Sequence, residues 1–230
     1  MKEAIELYGK ETEDDLKTIA RGVFSVINTG GLALLPDGIG YGLVGHSSES
    51  VRRVYDLKGR SLSKPLTHYM GASYVSNIAN INNTDIQLIE RITRKVPCCF
   101  IIPYKDSAYF ENLERFTFEQ STKSGTVALF FERDDPLVNK ILELTLPQEF
   151  ALIVSSANLT GQGNTYRFEE VPKNIRESVD ICIYSQTPCK YELEAQEGNK
   201  KNGSTLVRLS NRQIIRKGVL SNLIDKMLGE

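Results

Sequence analysis

The sequence predicts one mixed α/β (α+β) domain, a mixed sheet flanked by helices, and three observations carry that expectation. The 230 residues suffice to bury a single sizeable core, so residues 1–230 are read as one domain. Short apolar runs rich in β-formers, such as "PCCFIIP", "GTVALFF" and "FALIVS", alternate with stretches whose apolar residues recur at helical spacing. No internal repeat or low-complexity tract interrupts this interleaving, which is the pattern of layered α and β elements.

Taken in order, Thr12 with Asp15 forms a capping-box pattern, and Leu16, Ile19, Ala20, Val23 and Phe24 continue a helix that Gly30 and Gly31 stop. "LALLP" reads as a strand, and "DGIGYGL" as a glycine-rich turn where backbone approaches something closely. Val51, Val54 and Tyr55 share one face of a helix over Ser48–Leu57, which leaves "KGRSLSKPL" in the loop behind it. "LTHYM" predicts a short strand, Ser73–Ile81 a helix, and Thr84 with Gln87 a cap for a helix carrying Ile86, Ile89 and Ile92. "PCCFIIP" and "GTVALFF" are buried strands. Asp135-Pro136 supplies a side-chain acceptor and a first-turn proline for a helix bearing Leu137, Ile141 and Leu144. "FALIVS" is a strand that ends in the polar loop "SSANLTGQG". Residues 162–175 and "EAQEGNKKNG" read as exposed loops, and "DICIYS", "STLVRLS" and "QIIRKGVL" as later strands.

Basic and acidic side chains nearly balance, 28 against 29, which excludes a global attraction to polyanions and leaves only local clusters. One cluster holds Arg52, Arg53, Lys58, Arg60 and Lys64. A second holds Lys200, Lys201, Arg208, Arg212, Arg216 and Lys217, whereas Glu3 to Asp15 is acidic. Four irregularly spaced cysteines, Cys98, Cys99, Cys182 and Cys189, form neither a disulfide framework nor a zinc pattern and are expected to be reduced thiols. The first residues lack a signal-peptide core and no apolar run reaches membrane-spanning length, so a cytoplasmic protein without a membrane partner is expected. Tyrosines and phenylalanines lie mostly in apolar runs and there is no tryptophan, which assigns the aromatics to the core rather than to base stacking.

Chemistry concentrates in two loops. Hydroxyls and an amide at the exit of a buried strand, in "SSANLTGQG", suit hydrogen bonds to phosphate or ribose, because the strand fixes the backbone while the loop presents the donors. Three cations within "KGRSLSKPL" suit phosphate, bidentate from arginine and as a point charge from lysine. In chain order, "LP…YGL", "KGRSLSKPL", "SSANLTG", "STLV" and "IIRKG" resemble the hallmarks PTDTVYGL, KxRPxxxPL, SANxSG, STVVD and ILRxG of the YrdC/TsaC family of threonylcarbamoyl-adenylate synthases. "VPCCFIIP" and "FFERDDPL" are similar to that family's PGPxTFILP and VRVPDxPL. The resemblance runs from about Leu35 to Gly218.

The resemblance implies a YrdC-like twisted mixed sheet with a concave basic face. It implies a nucleotidyltransferase that makes L-threonylcarbamoyl-AMP from ATP, bicarbonate and L-threonine for the t6A modification of tRNA, with Mg2+ accompanying the triphosphate. Carried over by motif, Lys58 and Arg60 are expected at the phosphates as catalytic residues, and Lys64, Ser156, Asn158 and Arg216 on the nucleotide. Ser204 is expected at the substrate. Several positions depart from the pattern. Asp37, Gly38 and Ile39 stand where the family has Thr, Asp and Thr, and Phe131, or Phe130 with a one-residue gap, stands for the arginine of VRVP. Arg133 replaces its proline, Cys99 the threonine of PGPxT, and Arg208 the aspartate of STVVD. His68 lies one position before the place of a histidine common in relatives, and Tyr69 occupies it. The losses fall mostly on the amino-acid side. Two alternatives therefore stand beside the threonine reaction: a carbamoyl-adenylate synthase with a different acceptor, and a non-catalytic module binding nucleotide or double-stranded RNA.

Overall fold

In the computed structural model, which describes residues 3–132, 134–197 and 200–230, the chain builds one large mixed sheet. Arg133, noted above for its place in the motif, lies outside the described residues. In chain order the strands are β1 (Glu3–Leu7), β2 (Ala33–Asp37), β3 (Gly40–Gly45), β4 (Thr67–Tyr69), β5 (Cys98–Pro103), β6 (Thr122–Lys123) and β7 (Thr126–Phe131). They continue as β8 (Ile153–Ser156), β9 (Ile181–Ser185), the small hairpin β10 (Gln196–Glu197) and β11 (Lys200–Lys201), then β12 (Thr205–Arg208) and β13 (Gln213–Arg216). The sheet order is β1-β9-β2-β3-β8-β4-β7-β5-β12-β13, with β6 added to β7. Parallel pairs (β1/β9, β2/β9, β4/β7, β5/β12) mix with antiparallel ones, as the alternation of helices and strands predicts.

Side chains alternate between the two faces of a strand, and that period of two separates core from cavity. Leu129, Phe131, Phe100 and Val207 lie on one face and are fully buried. Thr126, Ala128, Phe130, Cys99, Ile101 and Leu206 lie on the other and line open space. One row crosses that open face: Tyr69 pairs with Phe130, Phe130 with Cys99, Cys99 with Leu206, and Leu206 with Arg216.

The helices follow their signals with local shifts. Thr12 and Asp15 form the reciprocal capping box of the helix Glu13–Asn28. Asp135 accepts from the Val138 amide at 2.9 Å to start Pro136–Thr145. The helix predicted over Ser73–Ile81 is shorter, a 3-10 turn Ala72–Tyr74 followed by Val75–Ile78. The next helix, Asn83–Thr93, is capped by Asn82 rather than Thr84, because the Asn82 side chain reaches the Asp85 amide at 2.9 Å. Two segments read as polar form strands: acidic Glu3–Leu7 pairs in parallel with β9, and "EAQEGNKKNG" contributes the β10–β11 hairpin.

Candidate functional site

The helix Ser48–Lys58 delivers the first cations. Ser47 caps its start by accepting from the Ser50 amide at 3.1 Å, and Gly59 ends it in the left-handed region at φ 56°. There the Arg60 amide donates back to the Tyr55 carbonyl at 2.9 Å, a turn that glycine adopts without a Cβ penalty. Lys58 thus closes the helix on its buried side and Arg60 leaves it toward the sheet.

Lys58 is only 3 % exposed, and oxygens surround its ammonium. Nζ donates to the Asn158 carbonyl at 2.7 Å, to Asn158 Oδ1 at 3.0 Å and to the Ser156 carbonyl. The Thr160 amide in turn donates to the Lys58 carbonyl at 3.1 Å, so the "SSANLTG" loop is tied to the helix end through both backbone and side chain. Ser156 Oγ also donates to Asn158 Oδ1 at 2.5 Å, which sets the amide's orientation. Burial, reinforced by the nearby Arg60 charge, pushes Lys58 down to about 7.

Arg60 donates from Nε to the Lys64 carbonyl at 3.1 Å and from a terminal nitrogen to the Pro65 carbonyl at 2.9 Å. These bonds hold its plane against the loop. Arg216 donates to the Ser204 carbonyl at 2.9 Å and to Ser204 Oγ at 3.3 Å, fastening β13 to the start of β12. Burial lowers Arg60 below its ordinary value, and repulsion from Arg216 adds to the shift. Two guanidinium groups lining one hollow and repelling each other favour an anion there in electrostatic terms.

Two adjoining cavities share Arg60, Thr67, Ser156, Asn158, Gly161 and Arg216. The larger, about 910 Å³, is lined by the cations Lys58, Arg60, Lys64, Lys123, Arg208 and Arg216, and among the described residues by no carboxylate. Its floor is the apolar row of Ile101, Ala128 and Leu206. The smaller, about 390 Å³, holds Ser204 and, at another part of its wall, Asp37, Ile39, Tyr41 and Phe130. Each of Lys58, Arg60, Lys64, Ser156, Asn158, Ser204 and Arg216 therefore lines this shared hollow. Two members of the first basic cluster point elsewhere: Arg53 pairs with Asp180 at 2.7 Å, and Arg52 lies over the Phe116 ring. In the second cluster Lys201 pairs with Glu170 and Glu192.

The residue facing the smaller cavity is Phe130, 4 % exposed beside Tyr69, and not Phe131, which lies fully buried against Phe100 on the opposite face. Alternation along "GTVALFF" carries this signal, since Phe130 shares its face with Ala128 and Thr126. Lys123 also lines the larger cavity, and no motif signals it because it sits on the short β6. His68 is fully buried with Nδ1 3.0 Å from the Tyr109 hydroxyl, and His46 stacks on Phe150, so both serve packing.

Gly218 marks the tightest approach in the site. A Cβ there would lie 2.3 Å from the Gly203 carbonyl oxygen. Gly218→Ala is expected to push the Arg216 strand off Ser204 and to destabilise the fold by about 1–3 kcal/mol, read as a lowered urea midpoint; an unchanged midpoint would refute the clamp.

The Sua5/YciO/YrdC family model, described as telomere recombination, matches residues 25–218. No curated protein matches the chain. Among solved structures, P. abyssi Sua5 H234A/Y235A aligns at TM-score 0.74 and 19 % identity, over 100 % of this chain and 64 % of its own. P. abyssi Sua5 complexed with L-threonine aligns at TM-score 0.73 and 19 % identity, over 100 % and 61 %. This chain thus spans less than two thirds of those proteins. E. coli YciO aligns at TM-score 0.68 and 16 % identity, over 95 % of this chain and 96 % of its own. With an ordered set of motifs, the same sheet and a family match over most of its length, the chain belongs to the Sua5/YciO/YrdC family.

Proposed function

We propose that the chain binds ATP in the larger cavity and transfers its adenylyl group to a carbamate, forming a carbamoyl-adenylate and pyrophosphate. The observation that carries this reading is the convergence of Arg60 and Arg216 on one hollow that holds six cations and, among the described residues, no carboxylate. A triphosphate matches such a charge, and the apolar floor suits the face of a base. Ser156 and Asn158, held in place by Lys58, present hydroxyl and amide groups to the sugar and α-phosphate side. An amine and bicarbonate condense to the carbamate with loss of water. A carbamate oxygen then attacks the α-phosphorus, and pyrophosphate leaves as Arg60, Arg216 and Lys64 neutralise its charge. The work is positioning and electrostatics, with no covalent enzyme intermediate.

Among the described residues no three His, Cys, Asp or Glu side chains converge to hold a metal. Magnesium would enter with ATP, bound chiefly by phosphate oxygens. The L-threonine of the P. abyssi Sua5 complex supports an amino-acid-sized acceptor beside the nucleotide, and the family supports a place in t6A formation on tRNA. Among the described residues no helix is long and apolar enough to cross a membrane.

Calorimetric titration with ATP tests the nucleotide half. Arg60→Ala and Arg216→Ala are each expected to weaken binding by about 1.5–3 kcal/mol, the worth of a charge-assisted hydrogen bond. Unchanged affinity in both variants would sink the assignment. Pyrophosphate release from ATP and bicarbonate tests the transfer.

A further inference from the structure

We infer that Asp37 is the general base that frees the acceptor amine, taking the ammonium proton in the smaller cavity and passing it to solvent through a second cavity that it also lines. The inference adds a catalytic residue to the adenylyl transfer proposed above and rests on that reading for its chemistry.

An ammonium nitrogen has no lone pair, so carbamate formation from an α-amino acid begins with the loss of a proton. The smaller cavity offers each end of such a zwitterion a partner of opposite charge. Arg60, Lys201, Arg216 and Lys217 in its wall suit the carboxylate. Lys201 already pairs with Glu170 and Glu192, and Arg60 and Arg216 are shared with the larger hollow. Among the described residues of that wall, Asp37 alone brings a carboxylate to meet the ammonium.

Asp37 ends β2 and is 7 % exposed. The Tyr69 hydroxyl donates to its Oδ2 at 2.5 Å and the Ile39 amide to its Oδ1 at 2.9 Å. Both oxygens are thus held in place, and each keeps a further acceptor site. Asp37 also lines a second cavity of about 220 Å³, whose wall includes the exposed residues Thr187, Pro188 and Lys190 and so reaches solvent. One carboxyl is therefore common to the acceptor cavity and to a separate way out.

Its surroundings keep its proton affinity near neutrality. Burial raises Asp37 to about 7 and Asp135 adds to the shift, while Tyr69 and the Ile39 and Gly40 amides oppose it. Glu132 is 2 % exposed with Oε2 unpartnered, and a Cβ on Gly38 would lie 2.7 Å from that oxygen. Burial, with Asp37 adding, raises Glu132 to about 8, and burial raises Asp135, which caps the following helix, to about 6. Asp134 pairs with Lys190. Burial and the charge of Asp37 push Cys189 and Tyr166 up, away from neutrality. A base that ionises close to the working pH is the kind that general-base catalysis favours.

The step balances. The ammonium gives one proton to an Asp37 oxygen, and the freed lone pair forms the C–N bond to the carbon of bicarbonate. Hydroxide leaves that carbon and departs as water with a second nitrogen proton. The carbamate keeps one N–H and one negative charge, and Asp37 then gives up its proton on the side of the second cavity.

Pyrophosphate release is followed against pH at saturating ATP and bicarbonate, with L-threonine and a panel of other α-amino acids. The wild-type rate is expected to rise through about 7 and then level off, because the base works ionised. Asp37→Asn is expected to lower kcat about 100-fold or more at neutral pH with the KM for ATP unchanged. Its rate should climb by about tenfold per pH unit, as the amine loses its own proton in solution. Lys58 titrates in both proteins and cancels in the comparison. An Asp37→Asn profile equal to wild type overturns the inference and leaves the adenylyl transfer standing. Wild-type protein that releases no pyrophosphate with any amino acid removes the transfer, and the base with it. Where Asp37→Asn fails to fold, Tyr69→Phe decides, since it deletes only the donor that holds Asp37 down. The midpoint is then expected at higher pH than in wild type, and an unmoved midpoint overturns the inference.

Discussion

Lys58→Met is expected to lower ATP affinity by about 100-fold while the protein stays folded. Methionine matches the length and apolar stem of lysine and removes only the donors. The carbonyls of Ser156 and Asn158 then lose the ammonium that draws them together, and each buried acceptor left without a donor costs about 1–3 kcal/mol. The loop relaxes away from the helix end, taking Ser156 Oγ and the Asn158 amide out of register with the nucleotide. Melting should fall by about 2–4 °C per kcal/mol lost. Wild-type affinity in the variant would show that the loop holds its shape without Lys58.

The same residue gives binding a pH signature. Burial and Arg60 have pushed Lys58 down to about 7, so above that pH the unliganded protein increasingly holds a neutral amine. A bound polyphosphate favours the charged form and draws a proton in. Affinity should therefore fall as pH rises from 7 to 9, by up to about tenfold per unit. Asp37, Glu132 and Asp135 titrate nearby and are common to both proteins. The difference between wild type and Lys58→Met thus isolates the lysine, and equal slopes would exclude it.

The second large effect separates two adjacent phenylalanines. Phe131→Arg places a guanidinium on the fully buried face against Phe100, where a charge without a partner costs several kcal/mol. Total domain stability is about 5–15 kcal/mol, so this variant is expected to unfold or accumulate insoluble. Phe130→Arg sends the same group into the smaller cavity, whose wall also holds Asp37, and should fold with a melting temperature near wild type. Circular dichroism and solubility of the pair read the outcome. A folded Phe131→Arg would mean that the faces of β7 are assigned the wrong way round.

That pair also shows where sequence reasoning reaches its limit. The residues the motif order singles out, Lys58, Arg60, Ser156, Asn158, Ser204 and Arg216, come from distant segments and line two adjoining cavities, because such loops sit at strand exits. Aligning a short degenerate motif leaves a one-residue ambiguity, and in a strand one residue exchanges the core face for the cavity face. Alternation groups Phe130 with Ala128 and Thr126, and the pairing of Phe130 with Cys99 and Tyr69 fixes that face as the open one. In the sequence Asp37 reads as part of a loss of hydroxyls. Its contribution of an acid became visible with the Tyr69 hydroxyl and Glu132 beside it, contacts made across distant strands. The strand Glu3–Leu7 is hard to read for a related reason: its two glutamates, Glu3 and Glu6, look solvated until β9 supplies a parallel neighbour.

Strand pairing has a consequence for how the chain reaches its working form. Glu3 pairs with Ile181, and Cys98 with Thr205, so long segments must be looped together before the sheet closes. Such distant closures are slow relative to helix formation. The hairpin that carries Ser204 and Arg216 joins the sheet through β5, which makes the cationic hollow a late product of folding. A refolding chain would regain its helical signal well before that hollow is complete.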